Sequence, residues 1–192
     1  MGSTVEADLY DFDKTVFPWD SGMRFWLFCL KKRPSLLRYL PVQAAGALKF
    51  LLHLGDSADA KSRSLAFLKG IDAAEEAALF WDANERHIYP FFLPENRPRP
   101  AVVCSASPDF LLRPVCERLK TEKLVCTHVD AASGKIKGKN CKGAEKVRRL
   151  AAEAPQYRFI NVYTDSVKND APMLALGEKA FLVQKGHTVP LR

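Results

Sequence analysis

From residue 101 onward the chain alternates short apolar runs with helix-period segments, and this rhythm limits the folds open to it more than any other feature. The runs 101–104, 124–129, 159–163 and 180–183 read as buried strands. Helices are predicted from 108 to about 119, from about 143 to 154, and from 171. Strands separated by helices pair in parallel through right-handed crossovers, so an open, doubly wound parallel sheet is expected. One further strand, 7–11, stands far upstream. Between the two lies a stretch that reads as all-helical: 21 onward until Pro34, an apolar run 36–54 interrupted at Pro41, a helix 57–69 stopped by Gly70, and a helix from 73 to about 89 opened by Asp72 with Glu75 three positions on. Pro90, Pro94, Pro98 and Pro100 then make a connection that neither a helix nor a central strand accepts. The expected organisation is an α/β core from 1–15 and 94–192 with an all-helical cap inserted at 16–93. A hairpin-like piece, 130–138, turning at Ser133-Gly134, interrupts the alternation.

Composition sets limits on function. At 192 residues and 47% hydrophobic content the chain buries one substantial core. No run approaches the roughly 18 uninterrupted apolar residues of a membrane span, and Met1 to Ala7 carry Glu6 and no apolar stretch, so a soluble, cytoplasmic protein is expected. Cys29, Cys104, Cys116, Cys126 and Cys141 are odd in number and lack a C-x-x-C pair, which reads as buried thiols with neither disulfide nor zinc. The net charge of +7 is unevenly spread: residues 21–55 hold Arg24, Lys31, Lys32, Arg33, Arg38 and Lys49 without a single acid. An anionic partner follows, whether phosphorylated metabolite, anionic lipid surface or nucleic acid.

The chemistry-bearing residues fall at predicted strand ends, where open α/β sheets bind ligands. Asp11-Phe12-Asp13-Lys14-Thr15 puts two carboxylates two apart, and extended backbone turns both to one side. Ser105 follows the second strand. Asp165 follows the strand 159–163, with Asp170 five positions later, and a lysine precedes the helix leading to that strand. In this order the set resembles the four motifs of the haloacid dehalogenase-like phosphohydrolases, and the helical insert resembles the subgroup with phosphoserine phosphatase and a bacterial phosphatidylglycerophosphatase.

That resemblance implies Asp11 as nucleophile, Asp13 as general acid and base, and Ser105 and the lysine as phosphate binders, with Thr15 holding the turn or a phosphate oxygen. It also implies Mg²⁺ held by Asp11, the backbone carbonyl of Asp13 and Asp165, with Asp170 in support. A carboxylate attacks a dianionic phosphate only when a cation cancels the repulsion, and a hard, oxygen-ligated cation does so. The lysine is Lys146 by the G-x-x-K spacing, with Lys142 the alternative. Lys14 and Thr164 stand where the wider family commonly has Gly. Asp20 takes the place of a Glu that meets the substrate amine in phosphoserine phosphatases, so it is the candidate for substrate specificity. Their carboxylate-binding Arg falls on Ser64, beside Arg63, which argues against phosphoserine.

The expected activity is Mg²⁺-dependent hydrolysis of a phosphomonoester, on a small metabolite or alternatively on a lipid phosphate. Pro34 and Pro41 favour packing of 21–55 as a compact bundle over contact with a membrane, with Arg24, Trp26, Arg38 and Phe50 as its core and rim. A non-catalytic nucleic-acid binder is the rival from another class. Lys135, Lys137, Lys139, Lys142, Lys146, Arg148 and Arg149 support it, but the stretch offers no aromatic stacking platform, and a binder needs no Asp11, Asp13, Ser105 and Asp165 together.

Overall fold

The computed structural model describes residues 4–54 and 56–191; residues 1–3, Gly55 at the end of the acid-free segment, and Arg192 lie outside the described residues. Six strands form one sheet: β1 Val5–Tyr10, β2 Ala101–Pro108, β3 Lys123–Thr127, β4 Tyr157–Thr164, β5 Lys179–Gln184 and β6 His187–Pro190. Their order is β3-β2-β1-β4-β5-β6, parallel except for the antiparallel β6. The chain winds one way from β1 through β2 to β3 and the other way from β4 to β5. Direction therefore reverses between β1 and β4, and a crevice opens at their carboxyl ends.

Seven α-helices accompany the sheet among the described residues: α1 Ser21–Lys32, α2 Leu40–Leu51, α3 Ser57–Ser64, α4 Ala73–Asn84, α5 Asp109–Arg118, α6 Ala144–Glu153 and α7 Val167–Leu174. The sheet is buried on both faces by the alternation of β1. Ala7 and Leu9 join an apolar cluster with Leu150 of α6, Ala154 just past its end and Met173 of α7, while Tyr10 joins a second cluster with α1, α4 and α5. In that second cluster Phe25, Phe80, Trp81 and Leu112 are almost fully buried, and the Trp81 indole N–H donates to Leu111 O at 2.6 Å. The insert thus shares its core with α5 through α1 and α4. Only α2 and α3 stand clear of it.

Several boundaries differ from expectation, each for a local reason. β2 continues past 104 to Pro108, pairing Pro108 with Thr127 after an irregularity that follows Ser105. Pro41 does not interrupt the apolar run. It sits in the first turn of α2, where a missing N–H costs nothing. The helix expected over 57–69 ends at Ser64 and tightens into a 3₁₀ turn, Ala66–Gly70, and the one expected to about 89 ends at Asn84. Asp72 caps α4 as expected, accepting from the backbone N–H of Ala74 and Glu75. α7 starts at Val167, four residues earlier than expected, because the Ser166 side chain caps it. β6 was not expected. Its turn, Lys185-Gly186, has φ of 50° and 84°, hairpin geometry without an Asn or Asp to announce it.

The largest departure concerns 21–55. α1 buries Phe25 and Cys29, but α2 buries only Gly46, so this part of the segment is not bundle core. Phe50 is exposed and lines a cavity, and Trp26 lines the same cavity while packing, partly buried, against the core.

Candidate active site

The loop after β1 starts at Asp11, whose N–H still donates to Tyr163 O at 2.9 Å as though the strand continued. Phe12 O then accepts from the N–H groups of Thr15, Val16 and Phe17, which curls the chain back over the sheet edge. Lys14 takes φ of 61°, the left-handed conformation that favours Gly and here is occupied by Lys. Phe12 and Phe17 anchor the loop against Trp81, so Asp11 is placed by packing.

Three carboxylates meet at the crevice. Oxygens of Asp11, Asp165 and Asp170 lie within 4.8 Å of one another, with Asp11 and Asp170 buried. Lys146, carried in on the first turn of α6, joins them: its Nζ is 2.7 Å from Asp11 Oδ1 and 2.9 Å from Asp170 Oδ1, and the residue is 3% exposed. Lys142 is exposed, so Lys146 is the lysine the fold brings to Asp11. Thr164 Oγ1 donates to Asp170 Oδ2 at 2.7 Å, and the α7 backbone departs from helical geometry at Asp170, aiming that carboxylate inward.

One ammonium shared by two carboxylates leaves the site short of positive charge. Burial works against the charged lysine, yet Asp11 and Asp170 hold its pKa above the ordinary value. For Asp11 burial prevails over the attraction of Lys146, and the carboxyl is pushed up to about 7. Asp165 is raised too, chiefly by burial, with Lys14 opposing. A cluster of hard oxygens lacking a compensating cation fits Mg²⁺ in its donor chemistry. Asp11 and Asp165 would hold the ion, with Asp170 in the same cluster, its oxygens also engaged by Lys146 and Thr164.

Asp13 faces elsewhere. Its Oδ1 accepts from Ser21 N–H at 3.0 Å and its Oδ2 from the Ser107 hydroxyl at 2.6 Å, while Ser21 Oγ donates to Ser107 Oγ at 3.1 Å. Its carboxylate is therefore outside the acidic cluster, so of its groups only the backbone carbonyl remains for a metal. Burial raises the Asp13 pKa, with the Ser107 hydroxyl and Ser21 pulling it back. Ser105 is buried on β2, where its Oγ accepts from Ser107 N–H at 3.0 Å. Thr15 is buried with Oγ1 3.5 Å from Asp11 Oδ2, at the outer limit of a hydrogen bond. Ser107 was missed as a site residue. Its signal was the serine pair two apart at the end of a strand, which places both on one face.

Beyond Asp13 a cavity of about 840 Å³ runs under the cap, between α1, α2 and α3. Met23, Trp26, Leu40, Phe50, Leu65 and Phe67 give it an apolar wall, and Asp13 and Ser107 lie at its inner end. Lys61 of α3 enters it and donates to Ala106 O at 2.5 Å. Burial lowers its pKa, against Asp13 and Asp20. This cation too was missed, although it lies one turn before Ser64. Asp20 lines the cavity as well, but its Oδ1 caps α1 by accepting from Met23 N–H at 2.8 Å. Ser64 lines it without charge, and Arg63 is paired with Asp59.

A model of the family described as haloacid dehalogenase-like hydrolase matches residues 9–175. No curated protein sequence matches the chain. Among solved structures, a protein of unknown function from Bordetella pertussis Tohama I is similar at 19% identity and a TM-score of 0.71, over 93% of this chain and 89% of that one. A probable phosphoserine phosphatase from Vibrio cholerae has 14% identity and a TM-score of 0.66, over 91% of this chain and 55% of that one. A phosphoserine phosphohydrolase-like protein from Francisella tularensis subsp. tularensis SCHU S4 has 13% identity and a TM-score of 0.63, over 94% and 88%. At these identities the likeness is one of fold.

Proposed function

We propose that the chain, which belongs to the haloacid dehalogenase-like hydrolases, hydrolyses a phosphomonoester through a phosphorylated Asp11. The observation that carries this reading is the division between two buried carboxylates two residues apart. Asp11 lies against Lys146 in an acidic cluster, and Asp13 lies on Ser107 at the inner end of a cavity.

The roles follow from those surroundings. Asp11 must be ionised to attack phosphorus, and Lys146 offsets the repulsion between its carboxylate and the phosphate. Bound Mg²⁺ would supply the remaining positive charge at the Asp11, Asp165 and Asp170 oxygens. Asp13, with its raised pKa, gives its proton to the departing ester oxygen as the Asp11–phosphorus bond forms. The resulting carboxylate then takes a proton from the water that releases phosphate, which restores both residues. The Ser107 hydroxyl keeps Asp13 aimed during both transfers. Ser105, whose Oγ proton is uncommitted among the described residues, and Thr15 suit phosphate oxygens.

For the leaving group, the apolar cavity supports the ester of an apolar alcohol, a lipid phosphate included, over a small polar metabolite. Phosphoserine fits the apolar wall poorly: Ser64 carries no charge for its carboxylate, and Lys61 is held on Ala106 O. Nucleic acid has less support still, because Lys146 and Arg149 of the basic stretch are buried, Arg149 donating to Cys126 O and Lys139 O. Purified protein with Mg²⁺ should release phosphate from an aryl phosphate and faster from a long-chain alkyl phosphate than from phosphoserine. Preference for phosphoserine would contradict the assignment of the cavity, and absence of any phosphate release would contradict the reaction.

A further inference from the structure

α2 carries the sequence LPVQAAGALKFL, and only Gly46 of it is buried. A helix this apolar normally lies inside a core. Here Leu48, Leu51 and Leu54 are 58%, 73% and 68% exposed, and Phe50 and Leu52 are exposed between them. Apolar side chains therefore surround the end of the helix without forming a single stripe. A protein groove accepts one stripe of a helix, whereas a lipid surface accepts an apolar helix end from all sides.

Charge selects the kind of surface. No acid occurs from 21 through 54, while Lys31 lies in the last turn of α1 and Lys49 within α2. Both lysines are exposed, with no carboxylate in ion-pair distance among the described residues. Lys32 and Arg33, by contrast, are turned to Glu76. Beyond the segment, Asp56 is turned to the N-terminus of α3, accepting from Asp59 N–H, and Asp59 is paired with Arg63. Position ties the surface to the site: Leu40 and Phe50 are exposed and also line the cavity that ends at Asp13.

We infer that the end of α2 inserts into an anionic lipid bilayer, so that a phosphate ester with an apolar chain passes along α2 into the cavity. The passage of the ester rests on the phosphomonoesterase reading above; the docking does not. No helix among the described residues is long and apolar enough to cross a membrane, so the contact is peripheral.

The test is flotation of the full chain with vesicles of phosphatidylcholine alone or mixed with phosphatidylglycerol, at physiological salt, beside turnover of a soluble aryl phosphate. The protein should float with the anionic vesicles and stay behind with the zwitterionic ones. Lys31→Gln with Lys49→Gln should lower partitioning roughly thirtyfold, and Leu51→Asp with Leu54→Asp should abolish it. Both double variants should turn over the aryl phosphate as wild type does, since neither pair lines the cavity. Asp11→Asn should still float but lose turnover. Failure of the wild type to float, with Asp11-dependent turnover intact, would overturn the docking and leave the chemistry standing. A dimer in light scattering that Leu51→Asp with Leu54→Asp dissociates would also overturn it, in favour of a second copy. Flotation together with turnover that survives Asp11→Asn would support the docking and overturn the chemistry.

Discussion

Asp11, the proposed nucleophile, is subject to two opposed demands: the ionisation that attack would require and the burial that favours its protonated form. Its folded pKa, about 7, lies above the ordinary 3.8, so the folded state binds the proton more tightly than the unfolded state does. That contribution to stability is complete below about pH 4 and is lost as pH rises through about 7. In chelator, Asp11→Asn should therefore raise the melting temperature relative to wild type by more at pH 8 than at pH 5; a gain that shrinks with pH would contradict the assignment. Lys146→Ala leaves two buried carboxylates without their cation and should cost about 3–5 kcal/mol in denaturant unfolding. Lys142→Ala, at an exposed position, should stay within about 0.5 kcal/mol. Asp13→Asn should slow hydrolysis of alkyl esters far more than of nitrophenyl esters, whose leaving group needs no proton, and equal losses would remove Asp13 from the proton path. That Asp11, Asp13 and Asp165 stand at strand ends was legible because motif spacing is a backbone property, whereas Ser105, expected just past its strand, lies within β2. Ser107 had a signal in the serine pair 105/107 of β2, whereas Lys61 had none, since it reaches the cavity only through the meeting of elements distant in sequence.

At the scale of elements, α2 and α3 form the outer wall of the cavity, and Gly46 sets how closely they cross. A Cβ at Gly46 would stand 2.7 Å from the Cβ of Arg63, closer than side chains tolerate. Gly46→Val should push α2 away from α3, raising KM for a long-chain alkyl phosphate several-fold while kcat on a small aryl phosphate changes little; equal effects on both would mean that α2 does not shape the leaving-group site. The strands β1, β3, β4 and β5 were readable from their apolar runs, and the cap of α4 from Asp72. β6 was hidden because all four of its residues are exposed, so no burial alternation marks it. Pro41 was misread as an interruption because a proline within an apolar run looks the same whether it breaks a helix or starts one.

At the scale of the whole molecule, a parallel sheet winding both ways from β1 and β4 brings four distant segments to one crevice: the loop at Asp11, the end of β2, the first turn of α6 and the turn into α7. The alternation beyond residue 101 was enough to foresee this, because handedness and sheet order leave few alternatives. What an apolar segment packs against was not legible, since hydropathy reports the wish to leave water and not the partner; 21–55 read as a compact bundle while α2 lies outside the core. The basic stretch was similarly ambiguous until the fold buried Lys146 and Arg149. The central claim is that phosphate passes through Asp11, and acid quench of protein turning over an aryl phosphate with Mg²⁺, followed by peptide mass spectrometry, tests it most directly. The account predicts an acid-stable, hydroxylamine-labile phosphate on the peptide containing Asp11 that is absent from Asp11→Asn; a phosphate on any other residue, or unchanged turnover by Asp11→Asn, would contradict it.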